Sequence, residues 1–368
     1  MAELAEVFRV AGPAYLERFG DRVVPSHRRV MRDVVSCRTP VLGGQLYECD
    51  CGEQHAVYHS CRNRHCPKCQ SHAAQEWFEK QREHLLPTTY GFATCTLPEG
   101  LRELSRSHQR VVYRILIQEA DRALMEVAAE DRFLGARLAV MAVLHTWSRS
   151  LFFHPHVHLV FPIGGLAEDG ESWVKPKSDT YIFPQSALAA RFRIRFEAAL
   201  KKTPLYRLVP SHVWKERWVA HVKVVGNGEK ALKYLSRYVF RVAISKERIE
   251  GFDGERVQYR WSDSTTGETK RATVEAHEFI RRFLQHVLPK GFQKVRYFGL
   301  WASVCRMQLE TARSILTEHL IAIGLRPRPI DREVHREDDS VASHLRCPSC
   351  GALFTRPPRR IPRLRGPP

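Results

Sequence analysis

The chain has 368 residues, 58 Lys and Arg against 40 Asp and Glu, ten Cys and 43% hydrophobic residues. That length predicts two or three domains with at least one well-buried core, and the hydrophobic content excludes wholesale disorder. The net charge of +18 points to a polyanionic partner, nucleic acid ahead of an anionic membrane surface.

Residues 1–36 predict helix, because Leu4, Val7, Phe8, Tyr15, Leu16 and Phe19 recur at helical spacing, with a break expected near Gly12-Pro13. The N-terminus carries acids where an export signal has bases, so a cytoplasmic, reducing location is expected, with thiols free to bind metal. Residues 37–72 hold six of the Cys. A polar helix from Ala73 to Leu86 follows, then a short strand from Tyr90 to Leu97 and a strong helix over 101–131. Residues 136–147 and 151–163 read as buried strands. The uncharged run from Ser150 to Ala167 contains three His and two Pro, so it is no membrane span. Helix is expected over 186–202, a strand over 217–225, a helix over 229–242, a hairpin over 255–274, and helices over 275–287 and 303–322. The last thirteen residues hold five Arg, five Pro and no acid, and read as a disordered tail. Domains are expected at 1–86, 87–325 and 326–368.

Three groups of residues carry chemistry. The first is the Cys cluster: Cys37, Cys49, Cys51, Cys61, Cys66 and Cys69, with His65 among them. The Cys-Pro-Lys-Cys ending is knuckle spacing, which lets two thiolates reach one tetrahedral Zn²⁺. Six thiols exceed one site, so one full site with a partial one, or two full sites, both fit. The role of the metal is structural, since a short polar segment has little else to fold around. Cys347 and Cys350 form a further half-knuckle, to be completed by His335 and His344 or by another chain. Arg62, Arg64 and Lys68, between the ligands, either touch phosphates or form a solvated face. Cys95 and Cys305 are isolated and read as core.

The second group is the strand FHPHVHLVF, which places His154, His156 and His158 at period two on one face. Three imidazoles in a row repel when charged and pack poorly as hydrophobes, and a cation resolves both problems by taking neutral imidazole. The plain alternative is a polar outer face. The third group is Tyr234, Tyr238 and Arg241 on one helix face, with Lys233 and Arg237 beside them; residues 230–248 hold six bases and one acid. Phenols in such a field can act as nucleophiles toward phosphodiesters, or can be amphipathic residues at a core rim. The segment 281–296 has five bases (Arg281, Arg282, Lys290 and Lys294 among them) and no acid. It either lines a DNA groove, with Phe283, Phe292 and Tyr297 for base stacking, or buries its Phe and solvates its bases.

Taken in order, the Cys-rich knuckle, the His strand and the Tyr-x-x-x-Tyr helix resemble the insertion sequence ninety-one family of bacterial transposases, members of the histidine-hydrophobic-histidine (HUH) endonuclease class. The matching stretches are YLERFGDR, CRTPVLGG, SCRNRHCPKCQ, VLHTW, HPHVHLV, KYLSRYVFRVAIS, EFIRRFLQHVLPKGF and CPSCG, which together span nearly the whole chain. The resemblance implies an α/β fold: a mostly antiparallel sheet flanked by helices, preceded by a small helical zinc-binding domain. It implies a catalytic Mg²⁺ or Mn²⁺ on His156, His158 and a third ligand, for which His154 is the local candidate and His221 a more distant one. It implies tyrosine nucleophiles at Tyr234 and Tyr238, and single-stranded DNA as the partner, cut and rejoined through a 5′-phosphotyrosine in rolling-circle-type transposition at the nucleoid.

Overall fold

The computed structural model describes residues 3–177, 183–230, 232, 239, 243–263, 266–325 and 346–364, with the backbone alone for 70–75 and 246. Its helices in chain order are α1 (Leu4–Phe19), α2 (Pro25–Ser36), α3 (Pro67–Arg82), α4 (Arg102–Ser107), α5 (Gln109–Ala129), α6 (Gln185–Lys201), α7 (Ala276–Leu284) and α8 (Arg306–Ala322). The strands are β1 (Gly44–Glu48), β2 (Gln54–Tyr58), β3 (Thr89–Thr96), β4 (Ala139–Trp147), β5 (Phe153–Pro162), β6 (Gly165–Leu166), β7 (Trp173–Val174), β8 (Val219–Asn227), β9 (Ile249–Phe252), β10 (Arg256–Ser262), β11 (Thr269–Glu275), β12 (Val295–Gly299) and β13 (Arg359–Ile361). They form two compact units, neither continuous in sequence: residues 1–73, 244–287 and 328–368, and residues 74–243 and 288–327.

The second unit is α/β, built on a five-stranded antiparallel sheet in the order β12-β4-β5-β3-β8. Alternation along the central strand β5 decides its two faces. Phe153, Val157, Leu159 and Phe161 turn to one side, into a core completed by Val112, Leu116 and Leu124 of α5 and Phe192 and Phe196 of α6. His154, His156, His158 and Val160 turn to the other. On that face Val160 joins Phe92 of β3, Met141 and Val143 of β4, and Leu309 and Leu316 of α8 in a second core, together with Leu232 and Val239. β4 is apolar on both faces because both are covered. Pro155 sits near the start of β5, where four residues (His156 back to Phe153) oppose three on β4 (His145 to Trp147). Such a slip is where a residue without an N–H can be placed in a central strand.

In the first unit α1 packs on α2 and α7, with Phe8 edge-on to Phe283 at 5.4 Å between ring centroids. Two three-stranded sheets complete it, β13-β1-β2 and β11-β10-β9. The helix α1 runs through Gly12-Pro13 rather than breaking there. Its buried stripe of Val7, Phe8, Ala11 and Tyr15 outweighs the one hydrogen bond that Pro13 forgoes, and Met31 Cε approaches within 3.2 Å of where a Cβ on Gly12 would stand. The helix expected over 101–131 is interrupted at His108, whose ψ of 44° separates α4 from α5. Residues 359–361, expected in a disordered tail, form β13 on the edge of β1. Composition describes a segment's own tendency and is blind to a sheet edge that offers it backbone partners. The hairpin β10-β11, α7 and the segment around Cys347 all return to the unit that holds the N-terminus, so the compact units differ from a sequence-order division at residues 86 and 325. No helix among the described residues is long and apolar enough to cross a membrane.

Candidate metal centres and their surroundings

Among the described residues, ligand-type side chains converge at three places. Two are tetrathiols in the first unit. Cys37, at the end of α2, meets Cys61, Cys66 and Cys69, with Sγ–Sγ distances of 3.5 Å from Cys37 to Cys69 and 3.6 Å from Cys61 to Cys69. Cys49 and Cys51 meet Cys347 and Cys350, at 3.5 Å from Cys49 to Cys350 and 3.8 Å from Cys51 to Cys347. Four sulfurs at ~2.3 Å from a tetrahedral Zn²⁺ lie ~3.8 Å apart, whereas a disulfide requires ~2.05 Å. All ten Cys are free thiols, so both sets fit zinc and neither is cross-linked. The local electrostatics favour ionisation of some members: Cys37 is lowered to about 7, chiefly by the side-chain hydrogen bond with Cys61, and Cys69 is lowered by its bond with Cys37. Cys347 is lowered to about 7, chiefly by the backbone N–H of Cys350.

His65 is not among either set of four; its backbone N–H donates to Asn63 Oδ1 at 2.9 Å, helping to shape the knuckle. Asn63 in turn donates to Asp33 Oδ2 on α2 at 2.9 Å. Arg62 is exposed and in left-handed backbone, at φ 52°. Arg64 is exposed as well, while Lys68 is half-buried and paired with Glu3 at 2.7 Å.

The third convergence is on the five-stranded sheet. It joins His156 and His158 of β5 to His145 of β4, which lies directly across from His156 in the strand register. The Nε2 atoms of His156 and His158 stand 3.2 Å apart. His156 directs Nδ1 at the His154 carbonyl, 2.7 Å away, so that ring nitrogen donates and Nε2 is left as an acceptor. His158 Nδ1 lies 3.0 Å from Thr94 Oγ1 on β3. This is how metal-ligating imidazoles are oriented, with the second nitrogen engaged behind the ring: the carbonyl fixes the tautomer of His156, while the Thr94 hydroxyl can donate to or accept from His158. Burial holds both rings neutral, lowering His156 to about 4 and His158 well below its ordinary value. Neutral nitrogen lone pairs aimed at one another need a shared proton or cation between them, and three nitrogens with no thiolate suit a borderline or hard divalent ion. His145 also stacks on Trp147, at 4.9 Å between ring centroids.

His154 is not one of the three. Its ring is 5.3 Å from that of His156, but its Nδ1 lies 3.5 Å from Arg102 Nη2, and a guanidinium beside it disfavours a further cation. His221 on β8 lies across from Thr94 and is 3.3 Å from Gln185 Oε1, also outside the trio. His145 is the functional candidate that sequence reading missed. Its signal was weak but present: a buried imidazole in the otherwise apolar stretch AVMAVLHTW.

Tyr234, Tyr238, Lys233, Arg237 and Arg241, and with them His335 and His344, lie outside the described residues. Leu232 and Val239, which bracket the two tyrosines in sequence, are buried in the core on the histidine-bearing face of the sheet. The segment 281–296 does not behave as one element. Arg281 and Arg282 end α7 and both bind Glu278, at 2.6 and 2.7 Å, and Arg282 also donates to Tyr259 Oη at 3.1 Å. Lys290 and Lys294 belong to the other unit, where their carbonyls accept from Arg110 (2.7 Å) and Leu144 N–H (2.8 Å). Phe283 and Phe292 are core residues, while Tyr297 is exposed.

Residues 7–97 match a family described as "Transposase zinc-binding domain", and residues 139–308 one described as "Putative transposase". The chain is 35% identical over 377 residues to "Putative transposase y4qJ" of Sinorhizobium fredii, an alignment covering 96% of this chain and 94% of the relative. It is 28% identical over 299 residues to the "Transposase for insertion sequence element IS801" of Pseudomonas savastanoi pv. phaseolicola, covering 75% and 70% of the two chains. Cys37, Cys49, Cys51, Cys61, Cys66 and Cys69 fall within the zinc-binding match and His145, His156 and His158 within the transposase match, while Cys347 and Cys350 lie beyond both.

Proposed function

The chain belongs to the insertion sequence ninety-one family of transposases, and from that premise we propose that it cuts and rejoins single-stranded DNA by HUH-type chemistry, through a tyrosine-linked intermediate, in rolling-circle-type transposition. The observation that carries this reading is the meeting of His145, His156 and His158 on adjacent strands at the centre of the sheet. These three would hold a divalent cation, Mg²⁺ or Mn²⁺, whose chemistry there is to polarise the scissile phosphate and offset its developing charge.

The remaining work belongs to the chain's own side chains. His154 C=O and Thr94 Oγ1 keep the rings of His156 and His158 turned with Nε2 outward. Lys223 and His221 share the histidine-bearing face of β8, and Lys223 lies over the Phe92 ring at 5.5 Å, adding positive charge where a phosphate would approach. Tyr234 or Tyr238 supplies the nucleophile. Its phenol oxygen bonds to phosphorus as the bond to the 3′ oxygen breaks; the phenol gives up a proton and the leaving oxygen gains one. A 5′-phosphotyrosine and a free 3′-OH result, and the reverse attack by a 3′-OH rejoins the strand with no external energy source. A second tyrosine lets one centre hold two ends. Leu232 and Val239, which flank the two tyrosines in sequence, are buried in the same core cluster as Phe92 and Val143.

The test is a covalent adduct. The protein is incubated with Mn²⁺ and a 3′-labelled single-stranded oligonucleotide from the end of its own element, then boiled in detergent and resolved on a denaturing gel. A labelled protein band is expected, and should vanish in the double variant Tyr234→Phe, Tyr238→Phe. A band that survives in the double variant sinks the nucleophile assignment. Cleavage without any adduct would make the protein a hydrolytic nuclease, and binding without cleavage a regulator.

A further inference from the structure

Cys51 and Cys347 are 296 positions apart, yet their sulfurs stand 3.8 Å from each other. We propose that Cys49, Cys51, Cys347 and Cys350 form a second zinc site, whose ion is a clasp that fastens a basic C-terminal strand onto the zinc-binding domain. The matched zinc-binding segment ends at residue 97, so half of this site lies far outside it.

The two halves are related turns, one a residue longer than the other, each closed by a glycine after its second Cys. Gly52 N–H donates to Cys49 C=O and Gly351 N–H to Cys347 C=O, at 2.9 and 2.8 Å, and each glycine is in left-handed backbone, at φ 92° and 75°. Each turn aims its backbone N–H groups and its thiols at a common point, as a metal knuckle does. An all-thiol tetrahedral set rejects Mg²⁺ and Mn²⁺, and Zn²⁺ satisfies it without redox chemistry.

The segment beyond Cys350 is shaped to its seat. Phe354 packs on Tyr47 at 5.1 Å between ring centroids and on His55 at 6.5 Å. Arg356 pairs with Asp50 at 3.2 Å, and Arg359 pairs with Glu48. β13 lies against β1 through Gly44, Gln45 and Leu46. The fit depends on Gly43, because a Cβ there would stand 2.6 Å from Ile361 O. Yet a three-residue strand with Arg359 and Arg360 exposed, preceded by an exposed Leu353, buries too little to hold itself. A tetrathiolate ion supplies what the packing lacks, since metal binding becomes folding free energy where no site exists without folding. The consequence is a metal-dependent basic edge: the clasp brings Arg360 and Arg363, both exposed, to the rim of the zinc-binding domain.

The test uses the full-length zinc-loaded protein. Metal analysis should return two zinc ions per chain. Brief maleimide labelling followed by mass mapping should find Cys49, Cys51, Cys347 and Cys350 protected, and all four reactive together after chelation. The double variant Cys347→Ser, Cys350→Ser should hold half the zinc, label readily at Cys49 and Cys51, and be cut by trypsin among residues 346–364 at least tenfold faster. The proposal is overturned if Cys347 and Cys350 of the zinc-loaded parent react as fast as in the chelated protein. It is equally overturned if the variant keeps two zinc ions, or if the four sulfurs prove to be protected as disulfides. Should the variant not fold, the labelling of the parent decides alone.

Discussion

The thiol sets and the histidine trio bring metal-type ligands together in opposite ways. His145, His156 and His158 are presented by adjacent strands of a sheet whose two faces are both covered by core, so their positions are set before any ion arrives. The eight thiols sit on turns, beside a strand end, at the end of α2 and in the first turn of α3, with few fully buried apolar neighbours, and there an ion would be a large part of what makes a structure. The contrast teaches where a bound ion's free energy would go: into folding at the thiol sets of the first unit and, on the proposed function, into chemistry at the histidine trio of the second.

The largest effect that could break this contrast is metal removal. A strong chelator should unfold residues 37–69 and leave the sheet of residues 139–162 intact, because structural zinc is worth roughly 10 kcal/mol or more to a small domain. Hydrogen exchange by mass spectrometry reads both regions at once. Loss of protection in β4 and β5 together with the thiol segments would show that the sheet is not independently pre-organised.

Next in size is the choice of third imidazole. His145→Ala should lower Mn²⁺-dependent cleavage roughly a thousandfold, about 4 kcal/mol of barrier, with little loss of thermal stability. His154→Ala, which removes a ring facing Arg102, should cost less than tenfold. Single-turnover cleavage of the two variants compares them directly, and the reverse ranking would restore His154 as the ligand.

The smallest effect sharpens the comparison, by asking what limits the stability of the sheet unit if not metal. Asp121 on α5 is buried, and its Oδ1 has no hydrogen-bond partner among the described residues. Burial raises its pKa to about 7, with Arg122 opposing and Glu119 reinforcing the shift. Because the folded value lies above the unfolded one, the folded state binds the proton more tightly. Stability is therefore greatest below pH ~4 with respect to this group, and is lost as pH rises toward 7. Asp121→Asn should stabilise the unit by roughly 1–3 kcal/mol at pH 8 and by nothing at pH 4, read from urea midpoints. An equal gain at both pH values would remove the carboxylate from the account.

Much of the sheet was legible because alternation and burial are local properties. The strands expected at 90–97, 136–147, 151–163 and 217–225 correspond to β3, β4, β5 and β8, and the period-two spacing places His156 and His158 on one face. β1, β2 and β12 went unread, being five residues each and only partly buried. The segment 281–296 was misjudged as a unit because charge and apolar spacing do not reveal that a chain leaves one core at Val287 and enters another at Leu288.

The sequence by itself determined the kinds of ligand, the polyanionic partner and the family, since these rest on residue identity and order along the chain. Only the tertiary structure decided which ligand-type side chains meet. Six clustered thiols cannot be sorted by spacing, because the sorting depends on where the β1-β2 turn lies and on a Cys pair nearly three hundred residues away coming back to it. His145 joins His156 through strand register, and register is fixed by the packing of two faces against two cores rather than by any property of either strand alone.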